Sequence, residues 1–227
     1  MNNKKHVSLK DLAEELGVSV STVSRALKDS PEVGEEMRER VKKLAGEWNY
    51  RPNPFAISLL KNNPRIIGII VPDIVTHFYS SIISGISDVA RKNHYSVIIT
   101  SSYEQYELEK QCVEDLMNIR VEGIIACISQ ETTDYAHFES LIMQRVPLVF
   151  FDRVCLHGRC SCVVADNAES GKAATEHFLH YGAKRIGFIG GANHLDIVKQ
   201  RKHGYLDALR QYQICLLYTS PSPRDRT

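Results

Sequence analysis

Residues 8 to 28 read Ser8-Leu9-Lys10-Asp11-Leu12-Ala13-Glu14-Glu15-Leu16-Gly17-Val18-Ser19-Val20-Ser21-Thr22-Val23-Ser24-Arg25-Ala26-Leu27-Lys28. The opening has the form of a capping box, in which the Ser8 hydroxyl takes an orphan backbone N–H and Asp11 reaches back. A helix is expected from Leu9, with Leu9, Leu12, Ala13 and Leu16 at helical spacing and Gly17 where a left-handed residue would end it. Ser19 can then cap a second helix from Val20 to Leu27. Val20, Val23, Ala26 and Leu27 are expected to face inward, leaving Ser21, Thr22, Ser24, Arg25 and Lys28 outward. This is a helix-turn-helix pattern, whose second helix suits a major groove: short hydroxyls and an arginine reach base edges there, and a lysine meets phosphate. On the local pattern alone, a plain helical hairpin is the alternative.

Working outward, a third helix is expected from Glu35 to Trp48, burying Met37, Val41, Leu44 and Trp48, with acids in its first turn that suit the helix dipole. Next comes Asn49-Tyr50-Arg51-Pro52-Asn53-Pro54-Phe55-Ala56-Ile57-Ser58-Leu59-Leu60. Asn53 is a good N-cap and Pro54 suits the first helical position, yet the helix they start has only about seven residues and is marginal alone.

The run from Leu9 to Leu60 resembles the LacI repressor family at Ala13, Gly17-Val18-Ser19, Thr22-Val23-Ser24-Arg25, Asn49-Tyr50-Arg51-Pro52-Asn53 and Ala56-x-x-Leu59. It departs from the family at Gly34, where a hydroxyl cap is usual, and at Trp48, where an aliphatic residue is usual. The resemblance implies a DNA-contact set of Ser8, Ser19, Val20, Ser21, Thr22, Ser24, Arg25, Lys28, Tyr50, Asn53, Ala56 and Leu59. It also implies a hinge helix that folds when held by DNA and a second subunit, with Leu59 as a wedge between base steps in the minor groove. A linker packing on the core domain is the alternative for Leu59 and Leu60.

The charge distribution agrees with this. The 227 residues carry a net charge of only +1. Residues 1–65 hold 12 Lys and Arg against 9 Asp and Glu, and the remainder 16 against 18, so the first segment is the basic end. No signal peptide or membrane span is read near the start, and the expected location is the cytoplasm, on the nucleoid. The six cysteines lack the spacing of a disulfide scaffold and read as reduced thiols.

From Arg65 onward short apolar runs, Ile66–Val71, Ser96–Thr100, Gly123–Ile128 and Pro147–Phe151, alternate with longer amphipathic ones. That alternation predicts βαβ units, hence a parallel sheet with helices on both faces, and ligands beyond the carboxyl ends of the strands. Asp73, Ser101, Ser102, Ser129, Asp152 and Arg153 follow those strands, and Phe78 and Tyr79 open a helix beside Asp73. Aromatics beside acids and an arginine suit a sugar, which offers C–H faces and hydroxyl pairs. Ordinary polar loop ends, with Phe78 in the core, are the alternative. The family resemblance implies effector contacts at Asp73, Phe78, Tyr79, Asp152, Arg153 and Arg201, and a periplasmic-binding-protein-like core; Ser129 joins the candidate effector contacts from its place after the third strand.

The fold expected is therefore a small all-α helix-turn-helix headpiece (1–52), a hinge and linker (53–63), one lobe of an α/β core (64–165) and the start of a second lobe (166–214). The chain is expected to cross to that second lobe after Val163-Val164-Ala165-Asp166-Asn167, beginning it with a helix to about Tyr181, a strand Arg185–Ile189 and a helix to about Tyr212. Residues 215–227 lack periodicity and do not resemble the family, so they read as a foreign tail on a truncated chain, such as sequencing-adaptor read-through. Residues beyond Asp166 are then expected to aggregate or to be partly unfolded.

Cys155-x-His157-x-x-Cys160-x-Cys162 contains zinc-type ligands at an unusual spacing, and His177 and His180 lack a third ligand; neither is taken as a metal site. No phosphate loop, nucleophile elbow or dinucleotide fingerprint follows a strand, so neither enzyme nor cofactor is expected. The expected partners are double-stranded operator DNA, a sugar-like effector and a second copy of the chain. A sugar-binding module without specific DNA recognition is the alternative function.

Overall fold

Ser8 and Asp11 close a reciprocal cap on the first helix, α1 (Leu9–Leu16): Asp11 N donates to Ser8 Oγ at 3.3 Å, and Ser8 N donates to Asp11 Oδ2 at 2.7 Å. Two backbone donors left over by helical geometry are thereby satisfied. A computed structural model describes residues 7–50 and 64–215, and the chain divides into two compact units, Met1–Pro64 and Arg65–Thr227. The expected hinge, with Asn53, Ala56 and Leu59, and residues 216–227 of the expected tail lie outside the described residues.

In the first unit α1 ends at Gly17, whose φ of 64° lets its N–H return to Ala13 O and Glu14 O. Helix α2 (Val20–Ala26) starts at Ser19, whose Oγ accepts from Thr22 N at 3.1 Å. Helix α3 (Glu35–Glu47) closes the unit over a core of Leu12, Ala13, Val23, Ala26, Val33, Val41 and Ala45. Two expectations are corrected here. Val41 is fully buried as expected and Ala45 joins it in the core, while Met37, Leu44 and Trp48 pack half-buried around them. Val20 is 43% exposed, because it lies in the first turn of α2, ahead of the buried stripe that Val23 and Ala26 form. Replacing Ser19 with alanine is expected to cost this unit about 1 kcal/mol through loss of the cap. The single tryptophan, Trp48, lies in this unit, so its fluorescence during thermal unfolding reports the change; an unmoved midpoint would show that water caps α2 equally well.

The second unit runs β1 (Ile66–Val71), α4 (His77–Lys92), β2 (Ser96–Ser101), α5 (Tyr106–Ile119), β3 (Gly123–Ala126), α6 (Ala136–Met143), β4 (Leu148–Phe151), β5 (Ser161–Val163), α7 (Asn167–His180) and α8 (Asp196–Gln211). Its five strands are all parallel, in the order β2-β1-β3-β4-β5. Alternation along β1 divides the core between two faces. Ile69 and Val71 pack with Tyr79, Ile82, Ile83 and Ile86 of α4, while Ile66 and Ile70 pack with Val113 and Leu116 of α5 and Phe138 of α6. Burial on both faces is why β1 reads as a continuous apolar run.

The strands differ from expectation in places: β2 runs on to Ser101 and β4 starts at Leu148. β3 stops at Ala126 rather than Ile128. Just before the expected crossing to the second lobe the sheet adds β5, paired Phe150 to Cys162 and Phe151 to Val163. Residues 185–189 form no strand: a strand exists through its ladder, nothing among the described residues pairs with this segment, and Ile189 is 98% exposed. Among the described residues no helix is long and apolar enough to cross a membrane.

Candidate functional site

Parallel pairing gathers the carboxyl ends of the strands at one edge of the sheet, where loop residues after each strand meet. A cavity of about 430 Å³ opens there, a size that suits a small organic ligand. Gln130 after β3, Asp152 and Arg153 after β4, and Arg201 of α8 supply its polar groups. Phe78 of α4 and Leu195, Ile197 and Val198 supply apolar surface.

Phe78, Asp152, Arg153 and Arg201 are thus brought together; Asp73, Tyr79 and Ser129 do not line this cavity. Asp73 turns onto its own loop, accepting from Val75 N at 2.9 Å, Thr76 N at 3.1 Å and the Thr76 hydroxyl. The Thr76 hydroxyl in particular holds its carboxyl below the usual range. Tyr79 is a core residue, 6% exposed, edge-on to Phe151 and with its Oη 3.7 Å from Cys127 Sγ. Burial drives its phenol pKa upward. Ser129 is also buried: its N donates to Glu109 Oε2 at 2.5 Å and its Oγ to Ser102 Oγ at 2.7 Å.

The polar groups of the cavity are held by named partners. Arg153 Nη1 and Gln130 N both donate to Glu104 Oε2 at 2.7 Å. Burial works against the charge on Arg153, but Glu104, together with Tyr79 and Cys127, outweighs it and the guanidinium pKa rises. Burial pushes the Asp152 carboxyl up, while Arg153 and Arg201 pull it down. Arg201 Nε donates to the buried Asn167 Oδ1 at 3.0 Å. Cys127, pushed up to about 12 by burial, stays a thiol beneath Asp152, with 4.0 Å between Sγ and Oδ2. Gln130 and Glu104 escaped the sequence reading. Gln130 directly follows Ser129 at a strand end, a signal that could have found it; Glu104 has no local signal.

On the headpiece, Ser19, Val20, Ser21, Arg25 and Lys28 are exposed, and Thr22 and Ser24 are half-buried. Ser19 Oγ also lies 2.7 Å from Ser21 Oγ and 2.8 Å from Thr22 Oγ1, and Arg25 pairs with Glu32 at 3.2 Å. Ser8 is engaged in its cap. Tyr50 packs half-buried on the headpiece core, where burial raises its phenol pKa.

Among the described residues no group of three or more His, Cys, Asp or Glu side chains is disposed to hold a metal ion. His157 pairs instead with Asp196 at 2.5 Å.

Residues 1–53 match the family described as bacterial regulatory proteins, lacI family. Residues 65–218 match that of the periplasmic binding proteins and sugar binding domain of the LacI family. The chain is 34% identical over 213 residues to the HTH-type transcriptional regulator MalR of Streptococcus pneumoniae, covering 92% of this chain and 64% of that one. It is 35% identical over 207 residues to the ribose operon repressor of Bacillus subtilis, covering 91% and 61% respectively. A solved structure described as the lac repressor dimer bound to operator and the anti-inducer ONPF aligns with a TM-score of 0.72 at 26% identity, covering 94% of this chain and 64% of that one. The chain thus spans less than two thirds of the length of these relatives. With a capped helix-turn-helix followed by a parallel α/β unit, and both segments matched in that order, the chain belongs to the LacI family.

Proposed function

We propose that this chain is a sequence-specific DNA-binding transcription regulator of the cytoplasm, a repressor that reads a near-palindromic operator as a homodimer and answers to a sugar-like effector. The observation that carries the reading is the surface of α2, where Ser21, Arg25 and Lys28 stand exposed on a helix capped by Ser19 and braced by a buried core. Lysine and arginine contacts to phosphate supply salt-dependent affinity, and Ser21, Thr22 and Arg25 supply base preference. Similarity to an operator-bound repressor dimer supports the DNA partner and the dimer. The headpiece at 1–52, hinge at 53–63, first lobe at 64–165 and second lobe from 166 are the working parts of this reading. Effector held at the strand-end cavity changes the closure of the lobes and so the spacing of the paired hinge segments, releasing or capturing DNA. No catalytic role belongs to this reading.

Selection of bound sites from random DNA tests it, and a two-fold symmetric consensus is expected. On the selected site, Arg25→Ala is expected to cost about 1–3 kcal/mol, with little change on random DNA. Equal losses on both would reduce Arg25 to a backbone contact. Sugar binding with no preferred site would assign the chain to the sugar-binding modules instead.

A further inference from the structure

Tyr103 and Glu104 carry consecutive positive φ angles, 49° and 63°, a conformation that residues with a Cβ adopt at a cost and that is retained where surrounding contacts demand it. The contacts are those of the Glu104 carboxylate. A single oxygen, Oε2, accepts from Arg153 Nη1 and from Gln130 N, and both donors belong to residues that line the strand-end cavity. The Arg153 side chain is only 19% exposed and that of Glu104 38%, so the pair is partly screened from water. The turn between β2 and α5 therefore neutralises a guanidinium from the end of β4 and fixes the loop after β3. Arg201 lies within electrostatic reach of Asp152, and its Nε is occupied by Asn167.

Resting on the effector reading above, we propose that Glu104 is a positioning residue that makes this cavity select uncharged, hydroxyl-rich ligands over phosphorylated or carboxylated ones. An anion approaching Arg153 meets a guanidinium already engaged by a carboxylate, and it is repelled by Glu104 and by Asp152. A polyol suffers neither penalty. Its hydroxyls can donate to Asp152 and accept from the remaining N–H groups of Arg153 without altering the charge balance.

The test is calorimetry on the full chain with a panel of neutral aldoses and ketoses, and with inorganic phosphate as the anionic probe. The wild type is expected to take up at least one neutral sugar and to give no heat with millimolar phosphate. Glu104→Gln keeps an acceptor for Gln130 N while removing the charge, and is expected to bind phosphate at least about tenfold more tightly than the wild type. The double variant E104Q/R153Q is expected to lose that gain, which a merely structural role for Glu104 would neither create nor abolish. A natively folded E104Q with no gain overturns the proposal. Phosphate uptake by the wild type equal to that of its best sugar overturns the selectivity alone, whereas a wild type that binds no sugar overturns the effector reading and the proposal together. Should E104Q fail to fold, the wild type's choice between its best sugar and the phosphate ester of that sugar decides the point, comparable affinities overturning it.

Discussion

Replacing Glu109 with alanine is expected to remove about 3–5 kcal/mol from the stability of the α/β unit, as loss of one member of a buried charged network does. The side chain is 0% exposed, a position that a carboxylate occupies only when it is fully hydrogen-bonded. Its Oε2 accepts from Ser129 N at 2.5 Å, and its Oε1 accepts from Thr132 Oγ1 at 2.8 Å and lies 2.9 Å from His137 Nε2. Truncation orphans these groups at once, and the His137 ring already has its Nδ1 buried with no hydrogen-bond partner among the described residues. It also frees the turn from Ser129 to Thr132, which carries Gln130 to the cavity, so ligand affinity should fall with stability. Glu109→Gln retains an acceptor and should lose only about 1–2 kcal/mol. Urea titration followed by far-ultraviolet circular dichroism measures both variants, with Trp48 fluorescence reporting the headpiece separately. A loss below about 1 kcal/mol in the alanine variant would mean that water replaces the carboxylate at its donors.

The same residue shows where the sequence stops being readable. The headpiece was legible because its determinants are local: Ser8 with Asp11, Gly17 after the last apolar position, and Ser19 with Thr22 all act within three or four residues. The central strands β1, β3 and β4 were legible because burial on both faces leaves continuous apolar runs. Glu109 falls on the apolar stripe of α5 with Cys112, Val113 and Leu116, a sign of burial, but the partners that satisfy it lie 20 to 28 positions away and leave no local signal. Glu104 is the same case, 49 positions from Arg153. The burial of Tyr79 did have a local signal, since Tyr79, Ile82, Ile83 and Ile86 share one helical stripe. The apolar alternation at 185–189 could not be settled locally, because only a neighbouring strand decides whether such a segment pairs.

A methyl group added at Gly204 is expected to destabilise the packing of α7 on α8 by about 3 kcal/mol, the upper end of ordinary overpacking costs. A Cβ there would stand 1.9 Å from Ala168 O and 2.7 Å from Lys172 N, and one at Gly171 would stand 2.3 Å from Arg201 O. These neighbours are helix backbone, which cannot turn aside as a flexible side chain would. The helices must separate, and the separation reaches the cavity. Arg201 belongs to α8 and Asn167 to α7, so the bond from Arg201 Nε to Asn167 Oδ1 spans the same crossing. Gly204→Ala should therefore lower both the urea midpoint and the affinity for whichever sugar the chain binds, and Gly171→Ala should repeat the pattern. Lys202→Ala, at an exposed position on α8, should stay within about 0.5 kcal/mol of wild type. Unfolding of Gly204→Ala at the wild-type urea concentration would show that the two helices are not held at this separation, and that Arg201 owes its place to contacts other than the glycine crossing.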